Sequence, residues 1–147
     1  MIHSPESYAP FSVRTVASNG NVWDGKENGG SISRMPSTEE LLEIGKGKGC
    51  VAENILSVAH HFRYGEFDWF TGGDCQYIRR DQFDYLDIEA PIAEVMGKVD
   101  GMKAGHHSTK GTNSSELLDV LKPDFVIAGT WKDIHPNHAT AKRFFKA

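Results

Sequence analysis

From residue 53 onward, short apolar runs alternate with amphipathic segments, and nearly every run ends in a glycine-rich or polar turn. That cadence leaves few folds open, because a period of two and a period of 3.6 cannot be exchanged without turning the apolar side chains to water. Residues 55–63 alternate as a strand, Tyr64-Gly65 makes a turn, and residues 66–70 return as the second arm of a hairpin running into Thr71-Gly72-Gly73-Asp74. A helix is expected over 89–96 with Pro91 in its first turn, then a short strand over 99–104 that ends at Gly105-His106-His107-Ser108. A helix over 114–121 opens on a Ser or Asn cap and stops at Lys122-Pro123, an apolar strand covers 125–128, and a last helix covers 137–145. The order predicts an α/β (α+β layered) fold in which strand ends deliver Asp74, the His106-His107 pair and His135 to one edge.

The first fifty residues are patterned more weakly. Residues 11–17 alternate like a strand and Asn19-Gly20 signals a turn, after which residues 22–49 are rich in Gly, Ser, Asn and Lys. Within that stretch Ser37 followed three residues later by Glu40 forms a capping box for a short helix. The expectation is long loops around one strand and one helix, belonging to a single domain that spans residues 1–147, because a chain of 147 residues buries one ordinary core.

Composition removes several classes. With 39% hydrophobic and 24% charged residues the chain is neither disordered nor membrane-embedded, and a formal net charge of -4 argues against a general attraction to nucleic acid. No apolar run approaches the roughly 20 residues of a spanning helix. The N-terminal Met1-Ile2-His3-Ser4-Pro5 has neither a basic flank nor an apolar stretch, so no signal peptide and a cytoplasmic location are expected. Cys50 and Cys75 are too few for a disulfide framework, show no zinc-type spacing, and read as small buried or half-buried residues.

Carboxylate and imidazole together suit zinc, manganese or iron. Each candidate also has an ordinary structural reading. Asp74 after a glycine can cap a turn. His106-His107 can be a solvated loop, and His135 before Pro136 is common turn chemistry, as is the weaker His138. His60-His61, on a strand with no carboxylate nearby, reads as structural or surface, and Phe67, Trp69 and Phe70 read as core. Lys46-Gly-Lys-Gly49 lacks the spacing of a phosphate-binding loop and is not taken as a nucleotide site.

Taken in order, strand–Thr71-Gly72-Gly73-Asp74, then Val99-Asp-x-x-Lys103-x-x-His106-His107-Ser108, then Ser114-Ser-x-x-Leu118-x-x-Leu121-Lys-Pro123, then His135-Pro136, resemble the C-terminal half of the metallo-β-lactamase superfamily. Within it, residues 51–147 are most similar to the hydrolase domain of bacterial competence (DNA-uptake) proteins and their free-standing relatives. The resemblance implies half of an αββα sandwich, with a mixed sheet carrying helices on one face. It also implies that Asp74 and His106 are metal ligands, with His107 as the alternative ligand or a catalytic neighbour. Ser108 would lie near substrate, and His135 would face the mouth of the site, where it could meet a phosphate or leaving group. The implied cofactor is zinc or manganese, two ions in a complete enzyme, and the implied substrate a phosphodiester or nucleic acid.

Two departures qualify what is implied. The family usually reads Thr-Gly-Asp where this chain has an additional Gly73. Nowhere in its 147 residues is there an H-x-H-x-D-H signature, which supplies most of the family's ligands from its N-terminal half. Glu53-Asn54-Ile55-Leu56-Ser57 resembles a place where many relatives put a further ligand, but holds no histidine.

The readings carried forward are an inactive portion of a metal-dependent hydrolase, a non-catalytic binding or regulatory relative, and an unrelated α/β protein. Under the first, the sheet should bare a large apolar face, met by the missing half or by a second copy in a homodimer.

Overall fold

The computed structural model describes residues 10–37, 39–40, 42–43, 53–77, 84–130 and 132–146. Cys50, the Lys46-Gly-Lys-Gly49 stretch and Trp131 lie outside them. The alternating segments assemble into a seven-stranded mixed sheet of order β3-β2-β1-β4-β5-β6-β7. Its antiparallel part is β1 (Phe11–Ser18), β2 (Asn21–Trp23), β3 (Ser31–Ser33), β4 (Ala59–Tyr64) and β5 (Phe67–Thr71). Parallel to β5 come β6 (Gly101–Lys103) and β7 (Phe125–Ile127).

Parallel strands need crossovers, and helices supply them. Helix α1 (Glu89–Val95) lies between β5 and β6, α2 (Ser115–Leu121) between β6 and β7, and α3 (His138–Phe144) follows β7. The caps act as the sequence suggests. Ser114 accepts a hydrogen bond from Leu117 N at 3.1 Å, Asn137 accepts one from Ala139 N at 3.1 Å, and Lys122 closes α2 in the left-handed conformation. Ser37 and Glu40 exchange the reciprocal bonds of a capping box, at 3.2 and 2.8 Å. Among the described residues no helix is long and apolar enough to cross a membrane.

The core lies between the helices and one face of the sheet. Val16, Ala17, Val22, Ala59, Phe70 and Met102 meet Ile92 and Ala93 of α1 and Leu117, Leu118 and Leu121 of α2, with Phe144 of α3 packed against them. The expected mixed sheet in a layered α/β arrangement is therefore present.

Several boundaries differ from expectation. Residues 55–58 do not extend β4. Glu53–Leu56 forms a 3-10 turn, because Ile55 is buried in a separate cluster with Tyr85 and Leu86 that alternation within one segment cannot reveal. The loop-rich segment contributes two short strands, β2 and β3, that its Gly-Ser-Asn composition hid; pairing of β2 with β1 and of β3 with β2 supplies what propensity did not. Phe67 and Trp69 are not core: Phe67 is 43% exposed, and both lie on the face opposite Phe70, as a period of two requires. His61 has a carboxylate after all, since Nε2 lies 2.7 Å from Asp68 Oδ1 across the β4–β5 hairpin.

Candidate functional site

Loops following the carboxyl ends of β5, β6 and β7 meet at one edge of the sheet, where parallel strands place binding residues. After β5, Gly73 takes φ 57°, and Asp74 N donates to Ser57 Oγ at 3.2 Å. A Cβ on Gly73 would sit 3.1 Å from the Val58 carbonyl, so a side chain there would be crowded as well as strained by its backbone angle. The Asp74 carboxylate is half-buried at the lip of this turn. Lys103, the last residue of β6, lays its ammonium 3.4 Å from the Gly73 carbonyl and 3.3 Å from that of Ala104, tying the two loops together.

After β6 the chain turns through three successive non-glycine residues with positive φ: His106 at 40°, His107 at 54° and Ser108 at 59°. L-residues adopt that region at a cost of about 1–2 kcal/mol each, and such strain collects where a site demands it. What holds the turn lies beneath it. Glu89, only 2% exposed at the start of α1, accepts hydrogen bonds from Asn113 N at 2.7 Å and Ser114 N at 2.6 Å. The Asn113 amide then accepts from Gly105 N at 2.8 Å and donates to the Gly105 carbonyl at 3.3 Å. Burial pushes the Glu89 carboxyl up to about 7, against the pull of those two backbone donors. Burial, reinforced by the Glu89 and Asp74 charges, pushes the neighbouring Cys75 thiol up to about 12, so Cys75 is a buried, inert thiol as expected.

The imidazoles cluster above this support. The His106 and His107 rings are 6.0 Å apart, and the His107 and His135 rings lie parallel, 6.0 Å apart with 3° between their planes. His107 Nδ1 is 2.7 Å from the Gly129 carbonyl. A carbonyl only accepts, so His107 carries its proton on Nδ1 and leaves Nε2 as an acceptor. His135, next to a cis His135–Pro136 peptide, has its Nδ1 shut away from solvent with no partner among the described residues. Desolvation first, then the His107, Lys132 and His106 charges, lowers its pKa, which favours a neutral ring.

His106 Nδ1 lies 3.1 Å from Asn54 Nδ2, which is also 3.4 Å from Gln76 Oε1. In this orientation Asn54 donates to His106, whose Nε2 then carries the proton. Gln76 Nε2, however, is buried without a partner among the described residues. A concerted flip of the two amides lets Gln76 donate to Asn54 Oδ1 and lets His106 donate from Nδ1, leaving His106 Nε2 free to bind a cation.

The structure thus brings together His106, His107 and His135, with Asp74 on the adjoining loop. It buries Ser108 completely, with its hydroxyl unpartnered among the described residues, so that hydroxyl does not face solvent. His138 stands exposed in the first turn of α3. Among the described residues no group of three or more His, Cys, Asp or Glu is placed to hold a metal ion. Sequence reasoning did not find Glu89, Asn113 or Gln76 as supports. Glu89 reads as an ordinary first-turn acid, and its two backbone partners lie 24 and 25 residues away. Asn54 stood within a segment already singled out, but its contact with His106 spans 52 residues.

A buried orphan hydroxyl in a left-handed residue is doubly unfavourable. Ser108→Gly is expected to stabilise the chain by about 1–2 kcal/mol in urea unfolding, relieving both the strain and the unpaired group. A loss of stability instead would mean that the hydroxyl has a partner worth more than its burial costs.

Comparison with protein-family models, with curated proteins and with solved structures finds no match to this chain.

Proposed function

We propose that this chain is the C-terminal portion of a metal-dependent hydrolase that resembles the competence-type metallo-β-lactamase-fold phosphodiesterases, and that it is inactive until donors from elsewhere complete the site. The observation that carries this reading is the strained His106-His107-Ser108 turn, held beside the Asp74 loop and against His135 at the carboxyl edge of the sheet. A hydrophobic core does not need three consecutive left-handed residues bearing two imidazoles.

Asp74 and His106 are the residues that would hold a zinc or manganese ion, and two donors would not enclose it by themselves. Asp74 offers a carboxylate, and His106 offers Nε2 once the Asn54 and Gln76 amides turn. Such an ion would supply Lewis acidity and an activated water for attack on a phosphodiester. His107, with Nδ1 held by Gly129, directs an acceptor nitrogen from a fixed ring, and neutral His135 stacks on it as a second acceptor near the mouth. The absence of a three-residue donor group among the described residues favours a second reading, a non-catalytic relative that keeps the scaffold.

Isothermal titration with zinc and with manganese separates the two. The hydrolase reading expects binding at roughly micromolar Kd, weakened about tenfold or more by Asp74→Ala and by His106→Ala. It further expects phosphodiesterase activity only after a polypeptide bearing the H-x-H-x-D-H half is added. Absence of binding, or binding untouched by both substitutions, leaves the non-catalytic scaffold.

A further inference from the structure

Pairing across β1, β4, β5, β6 and β7 sets side chains in rows, and the row Val13–Phe62–Trp69–Gly101–Phe125 crosses all five strands on the face away from the helices. A second row, Phe11–Tyr64–Phe67, runs beside it, and Ile127 flanks it on β7. These side chains pack on one another: the Phe125 ring lies 5.8 Å from Trp69 and 6.5 Å from Phe67. Gly101 makes room for that ring, since a Cβ there would meet Phe125 Cζ. Yet the face is bare among the described residues, with Phe11 63%, Val13 48%, Tyr64 47%, Phe125 45% and Ile127 56% exposed.

We infer that this face binds a second copy of the same chain, sheet against sheet, in a closed two-fold dimer. Six half-exposed large apolar side chains leave on the order of 600 Å² of contiguous apolar surface, at the limit of what a monomer keeps bare. Two such faces bury on the order of 1,200 Å² in total, the lower bound of a stable standard-size interface. The charge pattern suits self-pairing. The two apolar rows contain no Asp, Glu, Lys or Arg, so a two-fold axis brings no like charges together. Among the described strand residues the one cation on this face, Lys103, is turned into the Gly73 and Ala104 carbonyls. Aromatic and β-branched side chains from two such sheets interdigitate at a spacing of about 10 Å when aligned near 30°. The inference does not rest on the histidine site, and its failure would leave the hydrolase reading untouched.

Sedimentation velocity from about 1 to 300 µM tests it. The wild type is expected to pass from monomer to dimer and stop there. Val13→Lys, at the β1 end of the long row and 48% exposed, is expected to weaken association about 30-fold or more, the loss typical of a buried hot spot. Ile32→Lys, equally exposed at 52% but paired with Val22 on the opposite face, is expected to leave the dimer intact. Circular dichroism checks that each variant folds, and Tyr64→Lys replaces Val13→Lys should the latter not fold. A wild type that remains monomeric, one that forms open-ended polymers, association indifferent to Val13→Lys and Tyr64→Lys, or a dimer broken equally by Ile32→Lys would each overturn the proposal.

Discussion

Glu89→Ala is expected to destabilise the fold by about 4 kcal/mol, the sum of two orphaned backbone donors at about 1–3 kcal/mol each and a small cavity. The donors are Asn113 N and Ser114 N, both buried and, among the described residues, both served by Glu89. Glu89→Gln keeps the volume but not the function, because its amide can accept one of those protons while its NH2 confronts the other; a loss of about 2 kcal/mol is expected. Denaturant unfolding of the three proteins measures both values, and equal stability for wild type and Glu89→Gln would show that the carboxylate is not required.

The same group makes stability depend on pH in a direction opposite to the usual carboxylate. Its folded pKa, about 7, lies above the ordinary value of 4.5, so between these limits the native state holds a proton that the unfolded chain has released. The contribution is full below pH 4.5, is lost as the pH rises to about 7, and is flat above. At 1.36 kcal/mol per unit the whole swing is roughly 3 kcal/mol. Glu89→Gln should abolish that slope, so the gap between it and wild type widens as the pH falls from 7 to 4.5. A pH-independent gap would mean that Glu89 titrates near its ordinary value despite burial.

Phe70→Ala is expected to cost about 3–5 kcal/mol. Phe70 is 2% exposed, lies in the middle of the sheet between β4 and β6, and its ring approaches within 3.4 Å of where a Gly72 Cβ would stand. It also lines a cavity of about 10 Å³ shared with Cys75, Glu89, Met102, Gly105 and Asn113, directly under the histidine turn. Truncation should therefore do two things: lower the unfolding midpoint, and accelerate amide exchange at Gly105 and His106, whose N–H groups bind Asn113 Oδ1 and the Gly73 carbonyl. A loss below about 1.5 kcal/mol would mean that the helices close over the gap. Unchanged exchange at the turn would mean that Glu89 and Asn113 hold it without help from the core below.

Much of this was legible from local pattern. The hairpin of β4 and β5, the capping box and helix caps, the stop at Lys122-Pro123 and the delivery of Asp74, His106, His107 and His135 to strand ends all follow from residue type and spacing within a few positions of each other. The errors share a cause. Ile55 left the strand for a distant cluster, β2 formed on β1 and β3 on β2, and Phe67 and Trp69 faced outward because, among the described residues, only one face of the sheet is covered.

By itself the sequence determined the alternating elements, their caps and the polar residues at their ends, because hydrophobic period and capping chemistry act over single turns of chain. Only the tertiary structure decided which imidazole faces which, that Glu89 and Asn113 hold the histidine turn in its left-handed form, and that one face of the sheet is bare among the described residues. Those depend on contacts between residues far apart in the chain, and on the low-dielectric interior that makes an unpaired N–H or carboxylate costly enough to select one arrangement.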